Sequence, residues 1–125
     1  MNVLDHMITA ACVGGEILDL QVIRPNPRVE LAGELICTVD GRPLFAKSDA
    51  AAAAVDAAIA TGRLVETGTD DHDVLSHYPD GPDLVDDFAG KTRQLPRQAI
   101  PRLNAIAQPL VIRERCRLRR LSRLV

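Results

Sequence analysis

The sequence predicts an α+β fold, in which a small antiparallel sheet of about five strands carries one main helix on one face. Alternating apolar and polar residues, typical of half-buried strands, occur on both sides of a single well-marked helical stretch. Turn residues separate the strand candidates at short intervals, which favours antiparallel neighbours. The chain has 125 residues, of which 46% are apolar, and this is enough for one domain with a core.

The main helix is predicted to run from Ser48 to Thr61. Ser48 suits the N-cap position, because its hydroxyl can accept a hydrogen bond from a free N–H of the first turn. Gly62 suits the position after the last turn, where φ is often positive. Between these residues, apolar side chains repeat at the spacing of a helix with one buried face. The residues predicted to be buried are Ala51, Ala54, Val55, Ala58 and Ile59.

The first strand is predicted over residues 16–24, which alternate regularly between apolar and polar side chains. Residues 1–15 give an ambiguous pattern that allows a short helix ending at a Gly-Gly pair. Pro25 and Pro27 end the strand, because proline has no N–H for a ladder hydrogen bond. The strand residues predicted to be buried are Leu18, Leu20 and Val22.

A longer strand is predicted over residues 28–39, with Gly33 at a bulge or bend. The following dipeptide, Asp40-Gly41, is typical of a type I′ turn in a two-residue hairpin. Residues 42–46 would then form a short return strand. Because this segment contains a proline, we expect the return strand at the edge of the sheet.

A second hairpin is predicted after the main helix, with strands over residues 63–67 and 74–78 and an acidic tip between them. Residues 79–90 are acidic and rich in turn residues. Residues 91–109 contain three prolines, so we expect them to wrap over the surface with one or two helical turns.

The end of the chain, residues 110–125, is compatible with two structures. Arginines alternate with apolar residues, as on a strand, but a helical projection also gathers the leucines on one side. We interpret the segment as a strand up to about Arg119, followed by a short helical or frayed end.

Charge is distributed unevenly along the chain. Residues 1–90 contain 16 acidic and 5 basic residues, whereas residues 91–125 contain 10 basic residues and 1 acidic residue. We therefore divide the sequence into an acidic α+β body and a basic, proline-interrupted segment that packs on the same single domain. Such asymmetry indicates an electrostatic partner for the basic segment. That partner can be the body of the same chain, a second copy or an external polyanion.

Catalytic, cofactor and metal motifs are missing from the sequence. The three cysteines form no C-x-x-C pair, and His72 and His77 are spaced so that a strand would place them on opposite faces. We therefore expect no cofactor or metal, and an enzyme of unknown reaction stays a third alternative behind the two binding functions given below. No apolar stretch reaches the ~20 residues of a membrane span, and we expect a cytoplasmic protein.

The function predicted from these features is that of a small non-enzymatic binding or regulatory module, which acts through protein–protein contacts and self-associates as a homodimer. The alternative is a nucleic-acid-associated protein whose basic segment contacts phosphates. With two Phe, one Tyr and no Trp, such binding would involve little base stacking. The residues predicted to bind a partner or an anion are Arg113, Arg115, Arg117, Arg119, Arg120 and Arg123.

Overall fold

A computed structural model describes residues 3–125 and confirms the α+β class with a five-stranded antiparallel sheet. The helices are α1 (Val3–Ala10), α2 (Arg42–Ala60), α3 (Gly81–Phe88) and α4 (Ile100–Asn104), with a 3₁₀ turn at Arg97–Ala99. The strands are β1 (Glu16–Val22), β2 (Arg28–Leu31), β3 (Glu34–Thr38), β4 (Leu64–Tyr78) and β5 (Leu110–Arg123).

Strand β5, which lies in the basic segment, pairs with three other strands. One of its edges pairs along the whole strand with β4. The other edge pairs with β1 opposite residues 116–122 and with β2 opposite residues 111–113. Strand β3 extends the sheet from β2. The basic segment therefore contributes the central strand of the sheet.

The helices cover different parts of the two faces of the sheet. Because successive strand residues point to opposite faces, Leu121 and Ile112 of β5 belong to different faces. Leu121 packs beneath α1 and α2, and we call this side the α2 face. Ile112 packs beneath α3 and α4, on the α3 face. The α2-face core contains Ile8, Ile17, Val55, Ala58, Leu64 and Leu121. The α3-face core contains Val29, Val39, Leu84, Phe88, Leu95, Leu103, Ile106, Leu110 and Ile112.

Helix α2 begins earlier than predicted, so the return strand over residues 42–46 and the type I′ turn before it are wrong. Gly41 is the N-cap, with φ of −89°, and Pro43 lies in the first turn, where its missing N–H breaks no helical hydrogen bond. A Cβ on Gly41 would lie 2.5 Å from the Phe45 ring. Gly41 is therefore needed because the Phe45 ring packs closely against it. Pro43 marks the start of the helix.

The inner side of α2 is the one predicted, although three of the five residues predicted to be buried (Ala51, Ala54 and Ile59) are half-buried. Val55 and Ala58 are buried, Ala53 is exposed, and Gly62 follows the helix with φ of 77°. Ser48, the predicted N-cap, instead lies inside the helix and is buried. The predicted cap position was wrong because the helix continues through Ser48 towards its true start at Arg42.

The two-residue hairpin turn occurs at Ala32-Gly33, within the single strand predicted over residues 28–39. Leu31 of β2 lies opposite Glu34 of β3, and the turn residues have φ of 49° and 84°. Two positive φ values are characteristic of a type I′ turn. Alanine rarely adopts this conformation, which is why the sequence signal was weaker than that of Asp-Gly.

Strand β1 buries the opposite face from the one predicted. Ile17 is 4% exposed, whereas Leu18 and Leu20 are 53% and 54% exposed. Ile17 lies opposite Leu121 and joins the α2-face core. Val22, on the same side as the two leucines, is half-buried.

The second predicted hairpin is also wrong, because β4 is one continuous strand of 15 residues. Its only irregularity is a bulge between Glu66 and Gly68. The predicted helical or frayed end of the chain is likewise strand up to Arg123. In each case the long pairing between β4 and β5 outweighs the local turn residues. The acidic stretch predicted as turns forms α3, whose N-cap Asp80 accepts a hydrogen bond from the Asp83 N–H.

Candidate functional site

Each face of the sheet leaves one part uncovered by the described helices. On the α2 face, this part carries the arginine ladder, which we define as Arg113, Arg115, Arg117 and Arg119 of β5, with Arg119 at the boundary to helix α2. On the α3 face, it carries the leucine patch, which we define as Leu18, Leu20 and Leu118 with the flanking residues Asp70 and Arg120. Both regions include β5, and four of the six predicted site residues lie in the ladder.

The middle of the arginine ladder pairs with acids directly opposite on β4. Arg117 lies opposite Asp71 and donates two hydrogen bonds, at 2.8 and 2.9 Å, to its carboxylate. Arg115 lies opposite Asp73 and donates to it at 3.2 Å. The hydrogen bonds from Arg117 hold the pKa of Asp71 below its usual value. These are cross-strand charge pairs, which stabilise neighbouring strands.

Arg113 connects three strands. It donates to Asp73 of β4 and to Glu30 of β2, in both cases at 3.1 Å. Glu30 also accepts a hydrogen bond from Arg28, and its side chain is only 8% exposed. The hydrogen bond from Arg28, with that from Arg113, holds the pKa of Glu30 below its usual value despite the burial that opposes ionisation. A buried carboxylate is therefore held ionised by two guanidinium groups.

Arg119 joins the sheet to helix α2. Its side chain is 12% exposed and donates to Glu66 of β4 and to Asp56 of α2. Burial lowers the pKa of Arg119, but the hydrogen bonds to the two carboxylates outweigh it and leave the pKa above its usual value. This arginine is therefore largely enclosed by its own chain.

The two remaining predicted residues lie apart from the ladder. Arg123 donates to the main-chain carbonyls of Thr9 and Ala11, where α1 ends. Arg120 projects from the α3 face, is exposed, and forms no ion pair with residues 3–125. Its aliphatic stem lies beside Gly68. Of the six arginines, Arg120 is thus the one whose charge is left to solvent.

Sequence reasoning missed the acids that neutralise the ladder. Asp71 and Asp73 alternate on β4 as Arg115 and Arg117 do on β5, so a period-two charge pattern was present in both segments. The turn residues among positions 68–73 predict a hairpin tip, and this local signal conceals the charge pattern. The acids that face the ladder are Glu30, Asp56, Glu66, Asp71 and Asp73.

The leucine patch is a short apolar surface on the α3 face. Leu20 lies opposite Leu118, and Leu18 lies opposite Arg120. On the other side of β5, Asp70 lies opposite Leu118. The side chain of Asp70 is 71% exposed, so the leucines are flanked by one exposed acid and one exposed base. Exposed apolar groups at adjacent positions of a sheet face are typical of contact surfaces.

The part of β4 that contains His72 and His77 holds no metal centre in the described chain. His72 lies near Asp70, with 3.0 Å between its Nδ1 atom and a carboxylate oxygen, and it faces Cys116 across the β4–β5 pair. Within residues 3–125, no three His, Cys, Asp or Glu side chains are close enough to hold a metal ion. None of the helices in this part of the chain is both long enough and apolar enough to cross a membrane.

Comparison with known proteins found no matching family model, curated protein or solved structure. Any functional proposal for this chain therefore depends on the chemistry of its own surfaces.

Proposed function

We propose that the protein is a small non-enzymatic binding module that acts through protein–protein contact, and that its partner is a second copy of the same chain. The observation that carries the proposal is the leucine patch. Leu18 and Leu20 are each more than half exposed, on a part of the sheet that no described helix covers. Full burial of a leucine side chain contributes about 1.5–3 kcal/mol, so covering two half-exposed leucines is favourable.

Charge complementarity within the patch favours a second copy as the partner. A two-fold interface brings the same surface of two molecules together, so the surface must be complementary to itself. Arg120 and Asp70 lie in neighbouring rows of the patch, and both are exposed. A two-fold axis through Leu118, which neighbours both residues, would bring Arg120 of each copy to Asp70 of the other. The patch thus offers an apolar centre and one complementary charge pair on each side.

The arginine ladder favours this proposal over the nucleic-acid alternative. Phosphate groups would have to compete with carboxylates that already accept hydrogen bonds from Arg113, Arg115, Arg117 and Arg119. Arg120 is a single charge, and affinity for a nucleic-acid backbone depends on many such contacts.

The proposal is tested by the mass of the protein in solution, measured by light scattering over a range of concentrations. We expect the wild-type protein to be a dimer and the double variant Leu18→Lys/Leu20→Lys to be a monomer. The control is Leu35→Lys on β3, where the side chain is 45% exposed and outside the patch. It should remain a dimer. A wild-type protein that stays monomeric at all concentrations would contradict the proposal.

A charge exchange separates contact from folding. Arg120→Glu should weaken the dimer by placing two acids opposite each other, and the added change Asp70→Arg should restore it. A double variant that remains as weak as Arg120→Glu would show that the two residues do not meet across the interface. Retention of the wild-type monomer on a phosphate-bearing resin, lost as salt rises, would instead support the nucleic-acid alternative.

A further inference from the structure

A cleft of about 790 Å³ opens on the α2 face, between helix α2 and strands β1, β4 and β5. Its volume is within the usual range for sites that bind small molecules. Ile23 and Ala52 contribute apolar wall, while most of the other lining residues are charged. The cleft lies beside the arginine ladder and on the opposite face from the leucine patch.

One acid of the cleft has no arginine partner. Among the lining residues, Arg24 pairs with Asp49, Arg117 with Asp71, and Arg119 with both Asp56 and Glu66. Asp19 remains. It accepts a hydrogen bond from the neutral Gln21 side chain at 3.0 Å, and it forms no ion pair with the rest of the described chain. The cleft therefore contains a carboxylate that forms no ion pair, although Arg119 lies opposite it on β5.

Two buried acceptor atoms in the cleft have no partner within the described chain. Ser48, which lines the cleft from α2, is only 6% exposed, and its Oγ atom makes no hydrogen bond. The Oδ2 atom of Asp19, which lines the cleft from β1, is also buried without a hydrogen bond. Buried polar atoms normally have a partner, which can be an ordered water, an ion or a ligand.

We propose that this cleft binds the primary ammonium group of an organic amine, with the Asp19 carboxylate as its counter-ion. An ammonium group has three N–H donors and no acceptor, which suits a site that offers the Asp19 Oδ2 and Ser48 Oγ atoms. The aliphatic part of the amine lies against the wall that contains Ala52. A metal ion fits less well, because among the described residues no three His, Cys, Asp or Glu side chains are close enough together to hold one.

The ammonium group can belong to a small amine or to a lysine side chain. Calorimetric titration with cadaverine and with N-acetyl-lysine methylamide compares the two sources. We expect saturable binding of one molecule per chain. Tighter binding of cadaverine would indicate a free amine, and tighter binding of the capped lysine would indicate a protein side chain. Tetramethylammonium, which has no N–H donor, should bind much more weakly than either probe.

The variant Asp19→Asn removes the negative charge and keeps the shape of the side chain. Because it replaces an ion pair by a hydrogen bond from the ammonium group to a neutral amide oxygen, we expect the affinity for cadaverine to fall by about tenfold or more. The control Asp86→Asn lies on α3, away from the cleft, and should bind as the wild type does. Equal affinity of Asp19→Asn and the wild type would overturn the proposal, as would an absence of saturable binding by either probe.

Ser48→Ala separates a binding role from a structural one. If the hydroxyl contacts the ammonium group, this variant should bind cadaverine several-fold more weakly while keeping the wild-type melting temperature. If the hydroxyl only contacts water, the affinity should not change, and the assignment of Ser48 to the site would be wrong. The melting temperatures of both variants are measured alongside the affinities, so that a loss of binding can be distinguished from a loss of folding.

Discussion

The two ends of strand β5 differ in which face of the sheet is covered by helices and in what the open face carries. Around residues 110–117, the α3 face is covered by α3 and α4, and the exposed α2 face carries arginines. Around residues 118–123, the α2 face is covered by α1 and α2, and the exposed α3 face carries leucines. Each end therefore has one covered and one open face, but only the first open face consists of matched charges.

This difference indicates where a partner can gain most. Cross-strand ion pairs already satisfy the charged surface, and breaking them would leave carboxylates such as Glu30 poorly compensated. The outer edge of β4 is a poor site as well, because it carries acids at residues 70–73 and the bulge beside Glu66, and both features discourage edge-to-edge pairing. The leucine patch has neither safeguard, which is why we place the protein contact there.

The largest effect is expected where α3 meets α4, at the end of the sheet with the larger core. A Cβ on Gly81 would lie 1.6 Å from the main-chain oxygen of Leu103. Gly81→Ala must therefore move one helix, and we expect a loss of roughly 3 kcal/mol or more in the free energy of unfolding. Urea denaturation measures this loss.

Gly90→Ala is the matched control for that substitution. Gly90 has φ of 81° and nothing within 4 Å of an added Cβ. Only backbone strain remains there, and we expect a cost of about 1–2 kcal/mol. Equal costs at Gly81 and Gly90 would show that the close helix approach is not important for stability.

A smaller effect is expected beneath α2, at the other end of the sheet. Ala58 is 4% exposed in the α2-face core, so Ala58→Leu should overpack it and cost roughly 1–3 kcal/mol. Ala53→Leu, on the exposed side of the same helix, should cost less than about 0.5 kcal/mol. Thermal unfolding of both variants measures the difference. Small effects at both positions would show that this core is loosely packed and differs from the α3-face core.

The smallest effect concerns the ladder and its response to pH. Hydrogen bonds from Arg113 and Arg115 lower the pKa of Asp73, as Arg117 does for Asp71. When the folded-state pKa lies below the unfolded value of about 4, the stabilisation is fully present above pH 4 and is lost as the pH falls through the folded pKa. The variant Asp71→Asn/Asp73→Asn should therefore lose less stability than the wild type between about pH 5 and pH 3.

Urea unfolding at each pH measures this difference, with Asp86→Asn as the control for removal of an exposed carboxylate. The control should follow the wild-type pH dependence. If the double variant followed it too, the ladder would be a solvated surface without energetic coupling, and the contrast between the two ends of β5 would lose its physical basis.

The sequence by itself determined the features that depend on neighbouring residues. The spacing of Val55 and Ala58 established the buried side of α2, and Gly62 established its end. The alternation of residues 16–22 established that they form a strand. The acidic and basic parts of the chain were evident from composition alone. The helix and strand signals lie within a few turns or strand residues, where local geometry governs side-chain direction.

Only the tertiary structure decided which face of β1 is buried, because apolar side chains occur on both of its faces, and contact with Leu121 selects Ile17 over Leu18. It likewise decided that residues 68–73 extend β4, since pairing with β5 satisfies main-chain groups that a turn would leave to water. One of the two partners of Arg113 is Glu30, which is 83 residues distant in sequence. Strand pairing brings such residues together, and no local pattern specifies which strands will pair.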